Sequence, residues 1–274
     1  MRDALDTLSL RSAINDLGLN LFKNSVVLQT THSTNSYLLQ LEKEGAPHGT
    51  FVITHDQTAG RGRLDRAWLM EKGDIACSLL IRSPCMPKPP TLLALVPAVA
   101  LVQALSNCGI SSHIKWPNDV VVLNPDPNTH HDYFANYLKV GGLLIENVMR
   151  KGLLVASIIG IGINISLSPG KKLLIGHRGA LKELKPEIKR QAVLMELLKT
   201  LDHHIGEFSS MDYQKKLCDA YQKKCVSLGK SLTFEHQGKA VRGVGHSITP
   251  EGALCIENGG NLQTIFAGDV NFCT

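Results

Sequence analysis

Aromatic residues are scarce in this chain and its cysteines form no pattern. Phe, Trp and Tyr make up 5% of 274 residues, so a core must be built chiefly from aliphatic side chains. Seven cysteines, an odd number, include no Cys-x-x-Cys pair. Neither a disulfide framework nor a zinc site is indicated, which points to a reducing, cytoplasmic setting. The N-terminus lacks the basic-then-apolar order of a secretory signal. The most apolar window, Leu92 to Leu105, is shorter than the roughly 20 residues that cross a bilayer and holds Pro97 and Gln103. It reads as a buried helix, and no membrane partner is expected. No repeat or low-complexity segment is present. His130-His131 and His203-His204 lack a third ligand at metal spacing and read as solvent-exposed. Basic residues exceed acidic ones by 29 to 24, a net +5. That excess suits anionic ligands or an acidic partner without demanding nucleic acid.

What is present describes an ordinary globular chain, 43% hydrophobic and 19% charged, long enough for one large core or two unequal units. Helices are expected around Arg11 to Leu17, from Ser33 or Thr34 as cap through Leu41, and over Thr91 to Cys108, ended by Gly109. Two more are expected over Ile188 to Phe208 and Asp212 to Lys224. Strands are expected at Val26–Gln29, Thr50–Thr54, Ile75–Ile81, His113–Trp116, Val120–Leu123, Lys139–Asn147 and Leu153–Ile159. Asn124 to Asn136 reads as a polar hairpin loop. Beyond Val226, short β-type runs alternate with Gly, Pro and Asn turns. The pattern predicts a boundary near residue 225, separating units 1–225 and 226–274.

The densest chemistry lies in Gly60-Arg61-Gly62-Arg63-Leu64-Asp65-Arg66-Ala67-Trp68. Glycine lets backbone approach a ligand or adopt positive φ. Arginine supplies planar donor forks that suit carboxylate and phosphate oxygens. Downstream come Lys115-Trp116-Pro117-Asn118-Asp119, whose Pro-Asn-Asp also has plain turn chemistry, and Lys139-Val140-Gly141-Gly142-Leu143-Leu144-Ile145-Glu146. Ser33-Thr34-Asn35, which also suits a helix cap, and Gly160-Ile161-Gly162-Ile163-Asn164 flank them. The latter is not a dinucleotide fingerprint, because the third glycine is missing.

In this order, over roughly residues 25 to 274, the motifs resemble the biotin protein ligase family. The resemblance implies an α+β fold: a mixed, mostly antiparallel sheet with helices on one face, like the class II synthetase catalytic domain, plus a small C-terminal SH3-like β barrel. It implies biotin, ATP and Mg²⁺ as ligands. Biotin would be activated as biotinyl-5′-adenylate, then passed to a lysine of a biotin carboxyl carrier protein, an acetyl-CoA carboxylase subunit. Lys139 and Arg63 would be the catalytic cations. Ser33, Thr34, Asn35 and Gln57 would meet the ureido ring. Gly60, Arg61, Gly62, Gly142 and Leu144 would complete the biotin side, with Leu143 and Ile145 as lining or ordinary core. Arg66, Lys115, Asn118, Asp119 and Asn164 would serve the nucleotide, with Asp119 and Asn164 as metal contacts. Trp68 would offer adenine a flat face, or else anchor the core. Only 32 residues precede Ser33, which predicts the monofunctional type without a DNA-binding module. A lipoate or octanoate transfer enzyme and a biotin-sensing regulator remain alternatives. Edge strands leave a homodimer open.

Overall fold

The computed structural model describes residues 6–125, 136–167, 177–208, 210–236, 239–266 and 268–273. His130, His131 and most of the expected 124–136 hairpin loop lie outside the described residues.

A seven-stranded sheet forms the frame. Strand β1 (Ser25–Thr31) runs parallel to β2 (Phe51–Gln57). Helix α2 (Thr34–Lys43) makes the crossover between them. Beyond the two-residue strands β3 (Gly60–Arg61) and β4 (Ala67–Trp68), β5 (Ile75–Arg82) pairs antiparallel with β2. After β6 (His113–Lys115) and β7 (Asp119–Leu123) the chain enters the long hairpin of β8 (Tyr137–Arg150) and β9 (Leu153–Ile163). The order is β1-β2-β5-β9-β8-β7-β6, with every pairing after the first antiparallel.

Both faces of this sheet are covered, unequally. Alternate residues of β5 and β9, among them Cys77, Leu79, Ile81, Ile159, Ile161 and Ile163, join the large aliphatic core. That core takes in α1 (Thr7–Asp16), α3 (Val96–Asn107), α4 (Arg190–Gly206) and α5 (Met211–Lys224). On the other face Leu80, Val52, Ala156 and Ile158 form a smaller cluster with Leu38 of α2. The helices therefore lie largely on one face, as expected, and α2 is the exception. That exception matters, because its N-terminus opens at the edge of the site.

Four local readings are corrected. The helix expected from Thr91 starts later, since a 3-10 turn (Pro90–Ala94) precedes α3. Pro97 then sits in the first turn, where its missing N–H costs nothing. Gly109, at φ +78°, ends the helix as expected. The β8–β9 hairpin is longer than its hydrophobic runs suggest and turns at Lys151 and Gly152, both at positive φ. His204 is buried rather than exposed: Gln103 Oε1 lies 2.9 Å from Nε2, and the Tyr213 hydroxyl contacts Nδ1. Burial pushes its pKa down to about 4, so the ring is a neutral strut between helices. Finally, the C-terminal runs form β10 (Ser231–His236), β11 (Lys239–Ile248), β12 (Leu254–Asn258) and β13 (Asn261–Ile265), and a further strand, β14 (Val270–Phe272), pairs with β10. The result is a five-stranded antiparallel sheet in the order β13-β12-β11-β10-β14.

This second sheet is tied to the first around the Lys-Trp-Pro-Asn-Asp segment. Trp116 N donates to Ser227 Oγ at 3.1 Å, and the Tyr221 hydroxyl donates to Pro117 O at 3.1 Å. Trp116 and Tyr221 are both buried. The C-terminal strands thus close one side of the cavity described next.

Candidate active site

The dispersed motifs converge on one open cavity of about 150 Å³. Its floor begins at α2. Ser33 is the N-cap, with its hydroxyl accepting from Ser36 N. Thr34 N donates to Gln57 Oε1 at 2.9 Å. Ser78, which the motifs do not single out, donates to Thr34 Oγ1 (2.8 Å) or to Asn35 Oδ1 (2.5 Å). Asn35 Nδ2 donates to Glu146 Oε2 at 2.7 Å. Ser33, Thr34, Asn35 and Ser78 are all buried. A Cβ on Gly160 would stand 2.4 Å from Asn35 Oδ1, so the strand opposite must be bare there. Leu143 and Leu144 line the wall, whereas Ile145 packs against the core. Cys77 also lines it, with burial raising its thiol to about 12, which leaves it an inert apolar wall.

The arginine segment is a tight hairpin over this floor. Gly60 pairs with Trp68 and Arg61 with Ala67. Gly62 N donates to Arg66 O at 2.7 Å and Arg66 N to Arg63 O at 3.2 Å. Positive φ falls not on the glycines but on Leu64 (+52°) and Asp65 (+56°), the two turn residues. Gly60 is needed for close approach instead: a Cβ there would lie 2.4 Å from Gln57 Nε2 and from Trp68 O. It supports the cavity without lining it. Arg63 and Arg66, the corners of the turn, stand side by side.

Each cation at the rim already faces a carboxylate. Arg61 Nη2 donates to both Glu146 oxygens at 2.8 Å. Arg63 donates to Asn118 Oδ1 (3.1 Å), Gly268 O (3.0 Å) and Asp269 Oδ1 (3.3 Å). Arg66 meets Asp269 Oδ2 at 2.7 Å. Lys139 Nζ lies 2.6 Å from Asp119 Oδ1. Burial lowers the Lys115 ammonium from its usual range, while Asp119 pulls it partly back. These charges meet because β7 and β8 are register neighbours, with Asp119 opposite Gly142 and Val121 opposite Lys139.

Trp68 separates this cavity from a second, adjoining one of about 310 Å³. Its ring lies over bare backbone: a Cβ on Gly162 or Gly142 would come within 2.3 or 2.5 Å of the indole. Lys139 Nζ sits 5.5 Å from the ring centroid. The ring is therefore wall and anchor together. Lys115, Asp119, Lys139, Phe272 and Asn164 line the second lobe. Asn164 is buried with Nδ2 on Lys139 O (3.1 Å), and its Oδ1 has no hydrogen-bond partner among the described residues. Of the expected residues, Gly60 and Ile145 face neither lobe, and Asn164 faces only the second. Ser78, Glu146 and Asp269 join the site although no sequence motif gives them a role. A lone hydroxyl in the apolar run Ile75–Ile81 and a lone carboxylate ending Leu143–Ile145 were the available signals for the first two.

With this geometry in place, similarity to known proteins bears on it. The signature of the Biotin/lipoate A/B protein ligase family matches residues 27–164. A biotin–[acetyl-CoA-carboxylase] ligase of Paracoccus denitrificans is 34% identical over 256 residues, covering 90% of this chain and 99% of that protein. The corresponding ligase of Mycobacterium tuberculosis is 28% identical over 281 residues, covering 98% and 96%. Among solved structures, a biotin protein ligase from Aquifex aeolicus in complex with biotin and ATP superposes with a TM-score of 0.74 at 25% identity, covering 91% of this chain and 98% of that one. The chain belongs to the Biotin/lipoate A/B protein ligase family.

Proposed function

We propose that this chain is an ATP-dependent biotin protein ligase that attaches biotin to a lysine of a biotin carboxyl carrier protein. One observation carries the reading: four cations, Arg63, Arg66, Lys115 and Lys139, converge beside a buried hydrogen-bonding floor. The floor suits a neutral ureido ring, which needs donors and acceptors inside an apolar pocket. The cations suit a reaction that brings two anions together.

In the first step a biotin carboxylate oxygen attacks the α-phosphorus of ATP. A P–O bond forms, the bond to the β-phosphate breaks, and pyrophosphate leaves. Two unit charges about 4 Å apart repel by about 4 kcal/mol at an effective dielectric of 20. Lys139, on the boundary between the lobes, offsets that repulsion and stabilises charge developing in the transition state. Arg63, beside Asn118, is the second cation within reach of both partners. The second lobe, walled by the Trp68 indole, suits a flat base. In the second step the neutral carrier lysine amine attacks the acyl carbon, a C–N bond forms, the acyl C–O bond to the phosphate breaks, and AMP and the amine's proton leave.

Magnesium binds proteins through one or two carboxylates together with substrate phosphates. No cluster of three His, Cys, Asp or Glu side chains that could hold a metal exists among the described residues. Asp119 supplies one carboxylate in the cavity and Asn164 one unpartnered oxygen, which fits a cation carried in on the nucleotide rather than a resident one. When bound it would neutralise phosphate charge.

The test is incubation of the purified chain with biotin, MgATP and a biotin carboxyl carrier domain. AMP, pyrophosphate and one biotin on the carrier lysine are expected; no transfer overturns the reading.

A further inference from the structure

Asp269 stands where nothing in the motifs placed a functional group. It lies just before β14 of the C-terminal sheet, yet it lines the cavity of the first sheet. Its Oδ1 accepts from Arg63 at 3.3 Å, its Oδ2 stands 2.7 Å from Arg66 as an ion pair without hydrogen-bond geometry, and the neighbouring Gly268 carbonyl takes Arg63 again at 3.0 Å. The hairpin turn sets those two arginines side by side, so a single carboxylate reaches both. A phosphate entering between them would meet the same donors.

We infer that Asp269 is an internal competitor for the nucleotide: it holds the arginine pair until the polyphosphate of ATP displaces it. This inference rests on the nucleotide-binding reading above. Three features favour displacement over a permanent scaffold. Arg66 is 69% exposed, so its half of the contact is screened and weak. The Arg63 contact, at 3.3 Å, is long for a charge-assisted bond. A carboxylate left beside an incoming polyanion would repel it, whereas the phosphate offers more acceptor oxygens to the same planar forks. Because Asp269 precedes β14, its release also couples nucleotide entry to the edge of the C-terminal sheet.

The test is calorimetric binding of inorganic pyrophosphate and of MgATP to the full chain, without biotin. Asp269→Asn, which keeps the shape and removes the charge, should bind both about five- to tenfold more tightly. Asp269→Glu should behave as wild type. Asp65→Asn makes the same charge change at an exposed turn residue without the contact, and should shift affinity less than twofold. Weaker or unchanged binding in Asp269→Asn overturns the inference, as does an equal gain in Asp65→Asn. Absence of pyrophosphate binding to wild type also overturns it. Biotin-dependent ATP consumption, measured separately, then shows whether the ligase reading fails with it. Thermal melts of each variant confirm that a folded chain is being compared.

Discussion

At the floor of the cavity Ser33, Thr34, Asn35 and Ser78 are buried; Ser33 caps α2 through Ser36 N, and the other three are bonded to one another or to Gln57 and Glu146. At the rim Arg61, Arg63, Arg66 and Lys139 are partly in water, and each is held by a carboxylate. The floor is made of neutral groups whose removal leaves buried partners unsatisfied, a large cost. The rim is made of ion pairs that are individually weak and exchangeable. Recognition of a neutral ring needs fixed donors and acceptors, whereas a polyanion needs cations that can change partner. The two halves should therefore respond differently to the same perturbation.

The largest effect should come where the halves meet. Lys139→Ala is expected to lower the rate of adenylate formation roughly 10²- to 10³-fold, as loss of a transition-state donor does. Stopped-flow single turnover with saturating biotin and ATP measures it, and a change in KM alone would contradict the role. Next is the floor. Asn35→Ala takes one partner each from Ser78 and Glu146 and removes the amide from the floor, and should raise the KM for biotin roughly ten- to a hundredfold while sparing ATP. Equal losses for both substrates would erase the distinction between halves.

A pH profile sharpens it. The folded Lys115 loses its proton below the ordinary lysine range, because burial disfavours the charge. As pH rises through that lowered value the nucleotide side loses a cation, so kcat/KM for ATP should fall on an early alkaline limb. Biotin KM should not follow. Lys115→Arg should push the limb out of range, and Lys115→Met should cost roughly tenfold in ATP KM at neutral pH. The smallest effect is that of salt. Raising ionic strength shortens the screening length and should raise ATP KM a few-fold with biotin KM flat; parallel changes would mean that the rim pairs are not exposed as described.

Much of the frame was legible because periodicity and punctuation agree there. The runs Ile75–Ile81 and Leu153–Ile159 gave strands, and Gly109 marked a helix end. The site was legible for a different reason: glycines beside charged residues have few structural uses, and Gly142, Gly160 and Gly162 indeed clear room for Trp68 and Asn35. What escaped was set by partners distant in sequence. Nothing local to Asp269 reveals that Arg63, 206 residues away, will reach it. His204 looked like a surface residue because a helix pattern alone does not show that Gln103 and Tyr213 will close over it. Nothing in the sequence marked the turn at Leu64-Asp65, since the usual Asn-Gly signal for that geometry is absent.

The central claim is that this cavity joins a biotin carboxylate to the α-phosphate of ATP. Biotin-dependent exchange of pyrophosphate into ATP by the wild-type chain tests it most directly, with lipoate as the competing acid. Exchange with biotin and none with lipoate is the predicted result. Exchange with lipoate alone, or none with either, would contradict the account.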